Sequence, residues 1–463
     1  MAAELRAGFD RIRADLALPG DFPADVLTEA ERAADAVLAD LFAPVDGERP
    51  IDRRDVDFVT LDPITSTDLD QAFFIEMDAD DVVLSYAIAD VARFVEPGGA
   101  IDQEAWRRGV TVYLPDGRST LYPRRLSDDA ASLLPDVERP AIVFRVRIRP
   151  DGGVALDAVE RSVIRSRAKL AYATVTLADL PPAFPELARR IELAEAAREA
   201  DRIESPEQEV IRREGRFELR FRPRREIERQ SAALSLATNM AVADRLFAAR
   251  TGLFRTMNGV DDAQLRRLHH IARAFGLDWH AGVPLGDYLR TLPEDDPRTG
   301  AFQLAVRRSG GSARYEPYRE GVVPWHAAVA ATYCHATAPL RRLGDRYVIE
   351  AARTLAAGRP LPQPLVDAFE QLPATIGPRE TLAKRADREA LDLAEAVVLH
   401  GREGEVFDAV VTDEDQRGVQ FQIAEPATVA RVSAHRVDPG DSIRVRLLRA
   451  DTLTRSVEFV RVG

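Results

Sequence analysis

Three aspartates within nine residues, Asp62, Asp68 and Asp70, are the groups in this sequence whose type and spacing are best suited to chemistry. Asp62 closes an apolar run, residues 58–61, that reads as a short strand, and Pro63 with the turn formers after it takes the chain out of the sheet. A second apolar run, residues 72–75, reads as a buried strand. Asp68 and Asp70 lie two apart, so an extended backbone points both side chains the same way. Three carboxylates from one loop then converge, and like charges that close repel unless a cation neutralises them. Hard oxygen donors without Cys or His nearby suit Mg²⁺ or Mn²⁺ rather than zinc. The plainer alternative is a solvated Asp-rich turn; the apolar runs on both sides favour a site at the mouth of a core.

The elements that must hold this loop come from a chain of 463 residues, long enough for two or three domains and a large core. Residues 1–50 carry 11 acidic and 5 basic side chains and two helical patterns, 5–16 and 26–41, separated by Pro19-Gly20 and Phe22-Pro23. Residues 51–175 are mostly strand-like, with Pro150-Asp151-Gly152-Gly153 as a hairpin turn. Helical patterns follow over 186–203, 224–250 and 262–275, then 340–355 and 381–400. The run 211–225 holds seven arginines against two glutamates, with Phe217 and Phe221 interleaved, and reads either as a solvated hairpin or as part of an RNA path. His269 and His270 are adjacent on a helix and point about 100° apart, which argues against joint chelation. Residues 401–463 carry five short alternating runs with turns at Gly418 and Pro439-Gly440-Asp441, the pattern of a small OB-type barrel.

The single cysteine, Cys334, excludes an intramolecular disulfide framework and suits a reducing cytoplasm. No run approaches the ~18 apolar residues of a membrane span, and no signal pattern opens the chain. The net charge of −13 excludes a uniformly basic nucleic-acid coat but leaves room for a local basic groove. All basic residues but Lys169 and Lys384 are arginines, a bias that a GC-rich genome explains.

Leu61-Asp62-Pro63, then Asp68-x-Asp70-x-Ala72, resembles the active-site signature of the ribonuclease II / ribonuclease R family of exoribonucleases, with Gln71 where a fourth carboxylate is usual. Thr337-Ala338-Pro339-Leu340-Arg341-Arg342-Leu343-Gly344-Asp345 is similar to a second motif of that family. Ile88-Ala89-Asp90-Val91, the segment 164–172 and the Tyr113-Leu114-Pro115 region also match, whereas Ala232 and Ala233 stand where the family usually has glutamates. The resemblance implies an α+β fold: a short helical N-terminal region over 1–50, an RNB-type catalytic domain of mixed sheets with surrounding helices over 51–400, and an RNA-binding OB-fold over 401–463. It implies a cytoplasmic, monomeric 3′→5′ exoribonuclease that hydrolyses single-stranded RNA with a free 3′ end to nucleoside 5′-monophosphates. Asp62, Asp68, Asp70 and Gln71 are then expected at Mg²⁺ or Mn²⁺, and Arg341 at the scissile phosphate. Tyr113 is expected to stack on the terminal bases, and Lys169 and Arg342 to contact the RNA. The alternatives are a catalytically silent RNA-binding member, in line with Gln71, Ala232 and Ala233, and a metal-dependent enzyme acting on another phosphodiester.

Overall fold

The acidic loop is held by a seven-stranded sheet. The computed structural model describes residues 2–462 except 201–206, 214–215, 223–224, 294–295, 416–417, 434–436 and 438–439. Nine strands precede the helical half: β1 (Ile51–Arg53), β2 (Val59–Asp62), β3 (Gln71–Asp78), β4 (Asp81–Ala89), β5 (Val112–Leu114), β6 (Gly117–Ser119), β7 (Glu138–Ile148), β8 (Val154–Arg165) and β9 (Ala168–Ala171). The order in the large sheet is β1-β8-β7-β4-β3-β2-β9, and β5 and β6 form a separate hairpin. The edge pairs β1/β8 and β2/β9 are parallel, and the pairs between them are antiparallel. Near-continuous burial of β4 follows from its Val-Val-Leu and Tyr-Ala-Ile-Ala runs, which bury apolar groups on both faces.

Helix Ala2–Asp15 buries Leu5, Phe9 and Ile12, and it packs on the long helix Gln363–Leu399. A side chain at Gly8 would collide with Leu393, its Cβ falling 2.4 Å from a Leu393 methyl, so glycine permits the close crossing. Sequence pattern starts the long helix at 381, after Pro378; it begins at Gln363 and runs through Pro373 and Pro378. Burial of Phe369, Leu372 and Ile376 offsets the lost backbone hydrogen bonds there. The central sheet is tied to helix Leu343–Ala356 by a buried ion network. Arg161 of β8 donates to Asp90 at 2.6 Å and to Glu350 at 2.9 Å, and Arg353 bonds Glu350 and Asp46.

The C-terminal strands Val406–Asp415, Gly418–Ile423, Thr428–Val432, Ser442–Asp451 and Ser456–Arg461 form an antiparallel, nearly closed five-stranded barrel around Phe407, Val411, Phe421, Val445 and Phe459. These match the five alternating runs and the OB-type expectation. Helices Asp262–Ala274, Leu285–Thr291 and Pro297–Ser309 enclose their own small core and lean on the barrel through Val410 and an Arg267–Asp413 ion pair. His269 stacks on Trp279 with ring centroids 3.7 Å apart, so it belongs to that aromatic core. The arginine-rich run around 211–225 contributes to the paired strands Glu207–Arg213 and Arg216–Arg222, but most of its side chains lie outside the described residues.

Glu395 of the long helix is buried where the hairpin meets the barrel. It accepts from Gln208 Nε2 at 2.8 Å and from the Val429 amide at 3.0 Å. Burial pushes its carboxyl up to about 7. The folded state therefore holds a proton that the unfolded chain releases, and stability falls as pH rises between the ordinary glutamate range and 7. Glu395→Gln is expected to flatten that slope and to gain up to about 3 kcal/mol at pH 8. Urea unfolding of both proteins at pH 5 and pH 8 checks this; an equal slope in the variant would remove Glu395 from the pH response.

Candidate active site

Asp62 sits at the end of β2, whose parallel partner β9 places Lys169 beside Thr60. The chain leaves the sheet at Pro63 and re-enters at Gln71, so residues 63–70 form the acidic loop. Lys169 Nζ donates to the carbonyl oxygens of Ile64 and Ser66 and pins the outer half of this loop. Ser132 pins the inner half, donating to the Thr67 carbonyl at 2.7 Å and accepting the Leu69 amide at 2.9 Å. Leu69, fully buried, anchors the loop between Asp68 and Asp70.

The second motif arrives from 270 residues away. Asp70 Oδ1 accepts the Leu340 amide at 2.7 Å, and Oδ2 faces Arg341 Nε at 3.3 Å. Asp345 accepts the amides of Thr337 and Ala338, at 3.0 and 2.8 Å. These carboxylates, with the bonds Thr111 N–H to Arg341 O and Leu343 N–H to Gly109 O, hold Arg342 extended, at φ −133°. The helix therefore begins at Leu343, not at Leu340 as the proline pattern implies, and Arg341 and Arg342 precede it. The Nη groups of Arg341 have no hydrogen-bond partner among the described residues, and its side chain is 40 % exposed. Arg342 is committed to Asp345 through Nη2 at 2.7 Å and is mostly buried.

Asp68 is held by the β5–β6 hairpin. The Tyr113 hydroxyl donates to Oδ2 at 2.8 Å, and Arg118 Nη1 donates to Oδ1. Burial and the Asp68 charge hold the Tyr113 hydroxyl protonated well above the ordinary tyrosine value, while the residue as a whole stays 46 % exposed. Gln71 has both ends of its amide engaged. Nε2 donates to the Thr337 carbonyl at 2.7 Å, and Oε1 accepts from Tyr86, with Ser235 at 3.4 Å.

Burial, with repulsion from Asp68, raises the Asp62 carboxyl to about 6, against the pull of Arg341 and Lys169. Burial raises Asp70 to about 7, although Arg341 and the Leu340 amide oppose it. The Asp62 carboxylate has no hydrogen-bond partner among the described residues. Among those residues no three acidic, imidazole or thiol groups are gathered to hold an ion by themselves. The donor set nevertheless fits a hard cation of the magnesium type, which keeps several waters and takes one or two carboxylates together with substrate phosphates. Asp62, with an unclaimed carboxylate next to Asp68, is the first of these, and each oxygen of Asp68 and Asp70 retains a second lone pair.

Asp62, Asp68, Asp70, Gln71, Tyr113, Lys169, Arg341 and Arg342 are thus brought to one region. Sequence reasoning missed Arg118, Asp128, Tyr86 and Ser235. Of these only Arg118 had a local signal: Pro115-Asp116-Gly117 is a turn that puts the residues on either side opposite each other.

No helix among the described residues is long and apolar enough to cross a membrane. The chain is 27 % identical over 505 residues to a ribonuclease R of Thermotoga maritima, covering 97 % of this chain and 69 % of that protein. It is 28 % identical over 407 residues to exoribonuclease 2 of Cronobacter sakazakii, covering 82 % of this chain and 62 % of the relative. The structure of Mycoplasma genitalium RNase R in complex with ribose-methylated single-stranded RNA superposes with a TM-score of 0.85 over 99 % of this chain and 78 % of that one, at 19 % identity, a likeness of fold. Residues 405–462 match the RNase II-type exonuclease C-terminal S1 domain. The RNB domain model matches residues 51–355, both motifs and the sheet between them included, and the chain belongs to the RNB domain family.

Proposed function

We propose that this protein is a 3′→5′ exoribonuclease, a cytoplasmic monomer that hydrolyses single-stranded RNA from a free 3′ end and releases nucleoside 5′-monophosphates. The observation that carries the reading is the junction of the two motifs, in which Asp70 accepts the Leu340 amide and faces Arg341. It places a guanidinium with unclaimed donors beside the carboxylate of Asp70, and the relatives named for ribonuclease R and exoribonuclease 2 supply the substrate class. Nucleases of this family are metal-dependent in general, and we assign Mg²⁺, with Mn²⁺ as a substitute, to Asp62, Asp68 and Asp70. Gln71 lies beside them as a neutral neighbour. When bound, the ion lowers the pKa of its water and neutralises charge on the scissile phosphate.

The protein's own groups do the rest. Arg341, oriented by Asp70, points a fixed positive charge at the phosphate oxygens on which charge accumulates in the transition state. Tyr113 offers a ring face to the terminal bases while its hydroxyl stays tied to Asp68. Lys169 keeps the loop carbonyls at residues 64 and 66 in place. Arg342 supports the approach to the helix through Asp345 rather than offering free donors. Incubation with 5′-labelled RNA and Mg²⁺ tests the reading. A descending ladder of labelled fragments is expected. Binding of oligo(A) with no nucleotide released in any divalent metal would identify a silent RNA-binding member instead.

A further inference from the structure

Arg118, on β6, is a largely buried cation set against the acidic loop, and the proposed chemistry does not use it. It lies directly across the β5–β6 hairpin from Tyr113, and the two residues divide one carboxylate between them. Tyr113 takes Asp68 Oδ2 and Arg118 Nη1 takes Oδ1. The other guanidinium arm, Nη2, reaches Asp128 Oδ1 at 2.6 Å and Thr67 Oγ1 at 2.7 Å. Asp128 is itself held by Ser127, on the wide helical turn Leu126–Ala130. The Arg118 side chain is 14 % exposed, with its charge matched by Asp68 and Asp128, so it is not arranged as a phosphate contact.

We propose that Arg118 is a positioning residue that couples recognition of the RNA 3′ end to the acidic loop, a role that rests on the exoribonuclease reading above. A planar guanidinium with three acceptors on two segments fixes distance and direction together, which a lysine cannot do. Through it the hairpin that carries the stacking ring, the carboxylate of Asp68 and the turn at 126–130 move as one body. A base seated on Tyr113 thereby sets where Asp68 stands. Without Arg118, Asp68 keeps one donor, the hairpin loses its second attachment to the loop, and stacking no longer reports to the carboxylates.

The test is a set of variants read in three ways: single-turnover rate on RNA, calorimetric Mg²⁺ affinity without RNA, and fluorescence of 2-aminopurine at the RNA 3′ end. Arg118→Gln is expected to slow the single-turnover rate at least about tenfold and to weaken the terminal quench, because the effect passes through orientation. Its affinity for a 30-mer should change less than about twofold, since phosphate contacts elsewhere dominate binding. Its Mg²⁺ affinity should rise, because a positive charge next to Asp68 is gone. Tyr113→Phe keeps the ring and loses only the bond to Asp68. Added to Arg118→Gln it should cost less than the sum of the single changes, the signature of one shared device. Arg118→Lys should recover part of the rate. Strictly additive losses, or a lower melting temperature with rate, quench and Mg²⁺ affinity all unchanged, would reduce Arg118 to a fold residue and overturn the proposal. Loss of 30-mer affinity in step with rate would make it an RNA contact and also overturn it. If the unaltered protein neither shortens RNA nor changes the terminal fluorescence, the exoribonuclease reading itself has failed.

Discussion

Asp70→Asn is expected to cut the hydrolysis rate about a thousandfold, equivalent to about 4 kcal/mol of transition-state stabilisation, while RNA affinity stays nearly unchanged. Two effects add. The site loses a unit of negative charge that a divalent cation needs. The amide also keeps only one acceptor: with its oxygen on the Leu340 amide, 2.7 Å away in the native site, its NH₂ is turned toward Arg341 Nε, donor against donor. Arg341 then loses the group that aims it. Affinity survives because most of it comes from phosphates along the chain. Single-turnover hydrolysis and filter binding of a labelled 30-mer measure the two quantities. A rate above a tenth of the native value would take Asp70 out of the mechanism. A parallel loss of affinity would mean that Asp70 acts by shaping the segment 337–345.

Asp62, Asp68 and Asp70 were legible through their spacing between two apolar runs together with resemblance to a family motif, and the segment around Arg341 through resemblance to a second one. The barrel was legible because alternation and turn residues fix short antiparallel strands without reference to the rest of the chain. Features set by distant partners were not. The helix after Pro339 starts three residues late because Arg342 is held extended, with the Arg341 carbonyl accepting the Thr111 amide and the Leu343 amide donating to Gly109. The long helix passes two prolines because tertiary burial outweighs the local penalty, and no window of sequence contains that balance. Arg118 is one arginine among dozens in a chain with two lysines; only the pairing of Tyr113 with Arg118 across the hairpin distinguishes it. Tyr86 and Ser235 meet at Gln71 from β4 and from helix Glu226–Ala248, a meeting visible only in the fold.

Gln71 carries the prediction of opposite signs. Its amide is a strut between β3 and the segment that delivers Arg341, donating to Thr337 and accepting from Tyr86. Gln71→Glu keeps the length and replaces the donor by an oxygen. The Thr337 carbonyl then faces a carboxylate in place of an N–H at 2.7 Å, and one buried hydrogen bond becomes a repulsion. The metal-free variant is expected to lose about 1–3 kcal/mol of stability, the usual cost of leaving a buried polar group unpaired. The added charge next to Asp70 acts the other way on a divalent cation. The Mg²⁺ concentration for half-maximal rate should fall about tenfold, since this ion is held mainly by charge and geometry. Mg²⁺ should therefore raise the melting temperature of the variant more than that of the native protein, because an ion bound only by the folded state stabilises it in proportion to affinity. Thermal unfolding with and without Mg²⁺, together with a Mg²⁺ titration of the rate, separates the two roles. A variant as stable as the native protein without metal would show that the amide is not a strut. An unchanged or higher Mg²⁺ midpoint would place residue 71 too far from the ion for its charge to be felt.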